Sequence, residues 1–214
     1  VLCVELLEYG ATIRSLLVRN GDGWTDVVLG YDTLREYEEN DGFVGACIGR
    51  VGNRIGSACF QLNGRTYPLA KNDGENHLHG GVRGFDKCVW TAEPLEDGVR
   101  FCRMSPDGEE GYPGTLSASV SYRLQGHTLV MEYEASSDQD TLCSLTNHSY
   151  FNLNGGGTVL NHTLRIAADE FLETDSAVLP TGRHLPVSRS RWDRISGRTI
   201  RSCETAAGTI ITSA

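Results

Sequence analysis

Basic residues are in short supply. Lysine and arginine total 19 against 28 aspartates and glutamates in 214 residues, a net charge of −9 with histidine neutral. A nucleic acid or an anionic membrane as main partner calls for the opposite balance. Long apolar runs are missing too. Nothing approaches the roughly 18 consecutive apolar residues that would span a membrane. The start, Val1-Leu2-Cys3-Val4-Glu5, has neither the basic opening nor the apolar stretch of a secretory leader. It also lacks an initiating Met, so a missing or processed start is expected. No Cys-x-x-Cys occurs, and the 7 cysteines are odd in number and scattered from Cys3 to Cys203. That pattern argues for free thiols in a cytoplasmic chain rather than a disulfide framework. Gly-x-Ser-x-Gly, phosphate-loop and dinucleotide fingerprints are all absent, which removes the simplest signatures of those chemistries.

Glycine, by contrast, is abundant: 25 residues, against about 15 at an average usage of roughly 7%. The surplus predicts many tight turns. Apolar residues at 39% and charged residues at 22% fit a folded chain. The length gives one large domain or two small ones, with a core that needs no disulfide or metal.

Period-two alternation dominates. In residues 116–124, Leu116, Ala118, Val120, Tyr122 and Leu124 share one face, and Ser117, Ser119, Ser121 and Arg123 share the other. Gln125-Gly126 turns the chain, and 127–135 alternates again. Residues 59–62 and 65–69 make a second hairpin around Asn63-Gly64, the pair that most readily takes positive φ twice. Residues 11–18, 26–29, 99–104 and 162–167 read as further strands. Residues 33–39 read as the helix, with Asp32 as N-cap. Many short strands and little helix predict an antiparallel β-sandwich or barrel.

Three segments gather polar side chains beside glycine: Gly49-Arg50-Val51-Gly52-Asn53-Arg54-Ile55-Gly56, Asn76-His77-Leu78-His79-Gly80-Gly81, and Thr146-Asn147-His148-Ser149-Tyr150-Phe151-Asn152. Histidine moves protons near neutral pH. Asparagine, arginine and tyrosine hydrogen-bond hydroxyls, and glycine lets the backbone approach a ligand. The set suits an uncharged, hydroxyl-rich molecule such as a sugar. Each residue taken singly also has a structural reading. His79 could be a satisfied core histidine, Arg50 and Arg54 ion-pair donors, and Asn147 and Asn152 turn caps. On a strand, His77 and His79 would share a face as metal ligands can. No carboxylate completes a ligand spacing with them and His148, so no metal is expected. Asn147-His148-Ser149 and Asn161-His162-Thr163 match the glycosylation pattern, and both are read as chance matches.

Taken together, the motifs resemble the galactose mutarotase family of aldose 1-epimerases. Four carry the likeness: Gly49-Arg50-Val51-Gly52-Asn53-Arg54-Ile55, Leu78-His79-Gly80-Gly81-Val82-Arg83-Gly84-Phe85-Asp86-Lys87, Ser105-Pro106-Asp107-Gly108-Glu109-Glu110-Gly111-Tyr112-Pro113-Gly114, and Ser144-Leu145-Thr146-Asn147-His148-Ser149-Tyr150-Phe151-Asn152-Leu153. They stand in the family's order and spacing over residues 8–187, with Pro180-Thr181-Gly182 the last clear marker. The resemblance implies an all-β fold, a large antiparallel β-sandwich, here incomplete at its C-terminal end. It implies interconversion of the α and β anomers of a free hexose without metal or organic cofactor. It also implies residue roles: His148 as general acid, His79 near the ring oxygen, and Asn53, Arg54, His79 and Tyr150 as substrate binders. A small hexose is the implied partner. A non-catalytic sugar-binding β-domain is the alternative.

The likeness fails toward the end. The family's glutamate base and a sugar-binding aspartate have no matching position, and residues 188–214 diverge with five arginines and poor alternation. Back-translation of residues 208–214 in a shifted frame yields an Asp-His segment typical of the family. A frameshift near Val187-Ser188 is therefore expected, with a splice variant or a deliberate cut as rivals. That reading makes 1–187 a partial sandwich domain and 188–214 a tail of poor order. It also implies exposed apolar edges and little mutarotase activity in this chain.

Overall fold

The computed structural model describes residues 1–163 and 167–186. The chain divides into two compact units between Gly156 and Gly157. The first opens with β1 (Leu2–Leu7), β2 (Thr12–Asn20) and β3 (Gly23–Asp26), an antiparallel three-stranded sheet. Helix α1 (Leu34–Glu39) follows. Short pieces come next: β4 (Cys47–Ile48), β5 (Arg54–Ile55), the hairpin β6 (Cys59–Leu62) and β7 (Arg65–Pro68), and β8 (His77–Leu78). Then β9 (Thr91–Leu95), β10 (Gly98–Ser105), β11 (Leu116–Gln125) and β12 (Thr128–Ser137) form a four-stranded antiparallel sheet. The two-residue β13 (Thr146–Asn147) pairs with β4.

The core lies between the three-stranded and four-stranded sheets. Ala11, Ile13 and Leu16 from one side meet Phe101, Leu116, Ala118, Val120 and Tyr122 from the other. The Tyr122 hydroxyl crosses the gap and donates to the Ala11 carbonyl at 2.7 Å, satisfying a polar tip that burial would otherwise penalise. The β11 alternation holds in its first half, where Leu116, Ala118 and Val120 are buried and Ser117 is exposed; beyond it Tyr122 is buried as expected, but Ser121 is buried as well and Leu124 only partly so. The turn lies one residue later, since Gln125 pairs with Thr128 across Gly126-His127. In the β6–β7 hairpin, Asn63 and Gly64 both take positive φ, 51° and 75°, as a primed turn requires.

Three expectations are corrected. The N-cap is Thr33, not Asp32. Its hydroxyl accepts from Glu36 N, and the Glu36 carboxylate accepts from Thr33 N at 2.9 Å, a capping box. The strand expected at 26–29 ends at Asp26, because a tight turn after Asn20 pairs residues 23–26 with β2. Val27 and Val28 are buried as core, with a single bridge from Val28 to Phe151. In 162–167, the described His162, Thr163 and Ala167 are not in a strand, and 164–166 lie outside the described residues.

In the second unit, β14 (Glu170–Thr174) and β15 (Pro180–Pro186) form an antiparallel hairpin. The expected tail 188–214 lies outside the described residues. No helix among the described residues is long and apolar enough to cross a membrane.

Candidate active site

Arg50 organises the scaffold of the site. Its side chain is buried, and its guanidinium donates to Ser105 Oγ (2.8 Å) and to the carbonyls of Ser105 (3.0 Å), Pro106 (2.9 Å), Pro113 (2.9 Å) and Gly114 (2.8 Å). A planar fork with five donors is what such a ring of carbonyls needs. Arg50 is therefore structural, but it serves carbonyls and hydroxyls rather than the ion pair expected. The same loop reaches forward through Glu110, whose carboxylate accepts from Val82 N (2.9 Å) and Arg83 N (3.0 Å). Gly81, at φ 114°, allows this approach, since a Cβ there would run into the Glu110 carboxylate. The glycine-rich motifs are thus a set of interlocking loops.

On this scaffold β5 pairs with β8, Arg54 opposite Leu78. Just beyond, Asn53 and His79 clamp each other. His79 N donates to the Asn53 carbonyl at 3.0 Å, and Asn53 N donates to His79 Nδ1 at 2.9 Å. Arg54 Nε pairs with Asp73 Oδ2 at 2.7 Å, and Arg54 Nη1 lies 3.3 Å from Asn53 Oδ1. From the other side, the β4–β13 pair delivers His148, whose N donates to the Ala46 carbonyl at 2.9 Å. The His79 and His148 rings stand 5.1 Å apart, with planes at 83°. Tyr150 lies 5.0 Å from His148, and its hydroxyl donates to the Gly42 carbonyl at 3.1 Å.

All five expected site residues, Asn53, Arg54, His79, His148 and Tyr150, therefore meet in one cluster. Burial, reinforced by His148 and the Arg54 guanidinium, pushes the His79 imidazole down to about 3. His79 is neutral at ordinary pH. With Nδ1 accepting from Asn53, its ring proton sits on Nε2, a donor aimed away from the clamp.

His77 does not join this cluster. Its Nε2 meets the Tyr112 hydroxyl and its Nδ1 the Ala70 carbonyl, both at 2.8 Å. His79 takes a left-handed backbone, φ 52°, so the shared strand face is broken. The satisfied core histidine is His77, not His79. Among the described residues, no group of three or more His, Cys, Asp or Glu is arranged to hold a metal. Asn147 and Asn152 cap turns, accepting from Ser149 N and Asn154 N. Two residues of the cluster escaped the sequence reading: Asp73, which holds Arg54, and Phe43, which touches both histidine rings. An aromatic between glycines, Gly42-Phe43-Val44-Gly45, was the available signal for Phe43.

Comparison with known proteins bears on the family of the chain. A family profile described as aldose 1-epimerase matches residues 1–204. A galactose mutarotase from Sus scrofa is 48% identical over 195 residues, 90% of this chain and 57% of the relative. An aldose 1-epimerase from Escherichia coli K12 is 37% identical over 205 residues, 94% of this chain and 59% of the relative. The chain thus spans somewhat more than half the length of these relatives. Among solved structures, a GalM/aldose epimerase homologue from C. elegans superposes with TM-score 0.85 at 33% identity, covering 98% of this chain and 65% of the other. With the profile match, the relatives and the fold likeness in accord, the chain belongs to the aldose 1-epimerase family.

Proposed function

We propose that the chain carries the hexose-binding and acid side of an aldose 1-epimerase site acting on free glucose or galactose. The observation that carries the reading is the pair of imidazoles, His79 and His148, 5.1 Å apart beside Asn53 and Arg54. Anomerisation removes the proton from O1–H and places one on ring O5. The C1–O5 bond breaks to give the open-chain aldehyde, C1 rotates about C1–C2, and closure from the other face returns both protons. A neutral substrate needs only a positioned acid and base, each worth about 10²–10⁴ in rate.

The two histidines divide the work. Two imidazolium ions this close would repel each other. Holding His79 neutral lets His148 carry the proton and deliver it to O5. His79 Nε2–H and the Arg54 guanidinium donate hydrogen bonds to the same oxygen, where they stabilise developing charge. Asn53 and Tyr150 bind sugar hydroxyls. The glutamate that the family likeness makes the general base has no match in this sequence, so the rate over the spontaneous reaction is expected to be small.

Polarimetry on fresh α-D-galactose, with the His148→Asn variant alongside, tests the reading. Any acceleration over the spontaneous rate should vanish in the variant. Acceleration that survives His148→Asn overturns His148 as the acid. Sugar binding with no acceleration in the unaltered chain favours the non-catalytic sugar-binding domain instead.

A further inference from the structure

Phe43 sits in Asp41-Gly42-Phe43-Val44-Gly45 with a left-handed backbone, φ 54°. A bulky side chain enters that region only against steric cost. His79 is left-handed as well, φ 52°. These two rings meet with centroids 4.8 Å apart and planes at 74°. The same phenyl ring lies 5.7 Å from His148, tilted by 37°. One apolar ring therefore touches both imidazoles of the site.

The segment that presents it is fastened on every side. The Tyr150 hydroxyl donates to the Gly42 carbonyl at 3.1 Å. Gly45 N donates to the His148 carbonyl at 3.1 Å, and Asn147 Nδ2 donates to the Gly45 carbonyl at 2.8 Å. Lys87 Nζ pairs with Asp41 Oδ1 at 2.7 Å. Strain of this kind persists where the surroundings over-determine it, and it collects at functional sites.

We propose that Phe43 is a positioning residue: its ring fixes the mutual orientation of His79 and His148 and keeps water from the His79 imidazole. The inference rests on the mutarotase reading, for which it names what keeps one of two neighbouring histidines dry and oriented. The titratable and charged groups facing His79 are Arg54 on β5 and His148 after β13. Tyr150 stands against His148, and Asp73 against Arg54. Loss of solvent is the largest cause of the low His79 value, and Phe43 supplies an apolar wall of that environment.

The test is an NMR titration of the His79 ring in the sugar-free chain, so its failure is separable from failure of the hexose reading. Phe43→Gly and Phe43→Asn delete the ring, and both accept positive φ, so neither strains the loop. Phe43→Leu keeps apolar bulk. In the two ring deletions the His79 midpoint should rise from about 3 toward its ordinary 6.5, while Phe43→Leu stays low. An unchanged midpoint in the folded ring deletions overturns the proposal. So does a Phe43→Leu midpoint raised as far as theirs.

Discussion

The ring of His79 stands edge to face against the ring of His148, 5.1 Å between centroids and 83° between planes. Of the two, His79 is locked from below by the Asn53 amide at 2.9 Å. Burial above all, then His148 and Arg54, keeps His79 neutral, and neutrality has a cost that can be measured.

Between about 3 and 6.5 the unfolded chain binds a proton at His79 that the folded chain refuses. Stability should therefore be full above pH 6.5 and fall as the pH drops toward 3. His79→Asn should remove part of that slope, on the order of 1–3 kcal/mol after allowance for solvent screening. Urea midpoints at a series of pH values check this. A slope identical in the variant contradicts it.

Asp86 works in the opposite sense. Burial raises its carboxyl to about 6, and its Oδ1 has no hydrogen-bond partner. The folded chain holds that proton more tightly than the unfolded one between 3.8 and about 6. Its stabilising contribution is complete below 3.8 and lost as the pH rises through 6. Asp86→Asn should raise stability at pH 7 by about 1–3 kcal/mol, with the gain shrinking toward pH 4. Paired urea melts at pH 7 and pH 4 decide it, and no gain at pH 7 refutes the assignment.

Arg50→Met should cost about 3–5 kcal/mol, because it strands the carbonyls of Ser105, Pro106, Pro113 and Gly114. Arg50→Lys should recover little, since one ammonium cannot replace the fork. The readout is the urea midpoint at constant slope. A lysine variant as stable as the parent would show that charge, not geometry, matters here.

Asp73 holds Arg54 through Nε. Asp73→Asn keeps the shape but loosens the guanidinium. Hexose binding should weaken about 3- to 10-fold, or roughly 0.7–1.4 kcal/mol, with the fold unchanged. Calorimetric titration with D-galactose measures it, and equal affinity would dismiss Asp73 as a positioning residue.

Much of the fold was readable from local pattern. Strands β11 and β12 announce themselves by alternation, and β6–β7 by Asn63-Gly64. Strand β1 alternates too, Leu2, Val4 and Leu6 against Cys3 and Glu5, and Gly10, at φ 69°, marks the turn to β2, but the span is short and the pairing shows only in the fold. Val27 and Val28 mimic a strand because they are core without a ladder. The polar residues of the site were readable as motifs. Phe43 and Asp73 were not, because their contacts arise only when β4 meets β13 and the 73–76 turn folds against β5. Residue type alone did not separate His77 from His79; the family resemblance singled out His79, and Tyr112, 35 residues away from His77, gives His77 its structural partner.

A D-galactose titration followed on the ring resonances of His79 and His148 tests the paired-histidine site most directly. Both should shift saturably and together, and shift less in Arg54→Ala. Rings that stay unmoved at saturating sugar, in a chain that is folded, would contradict it.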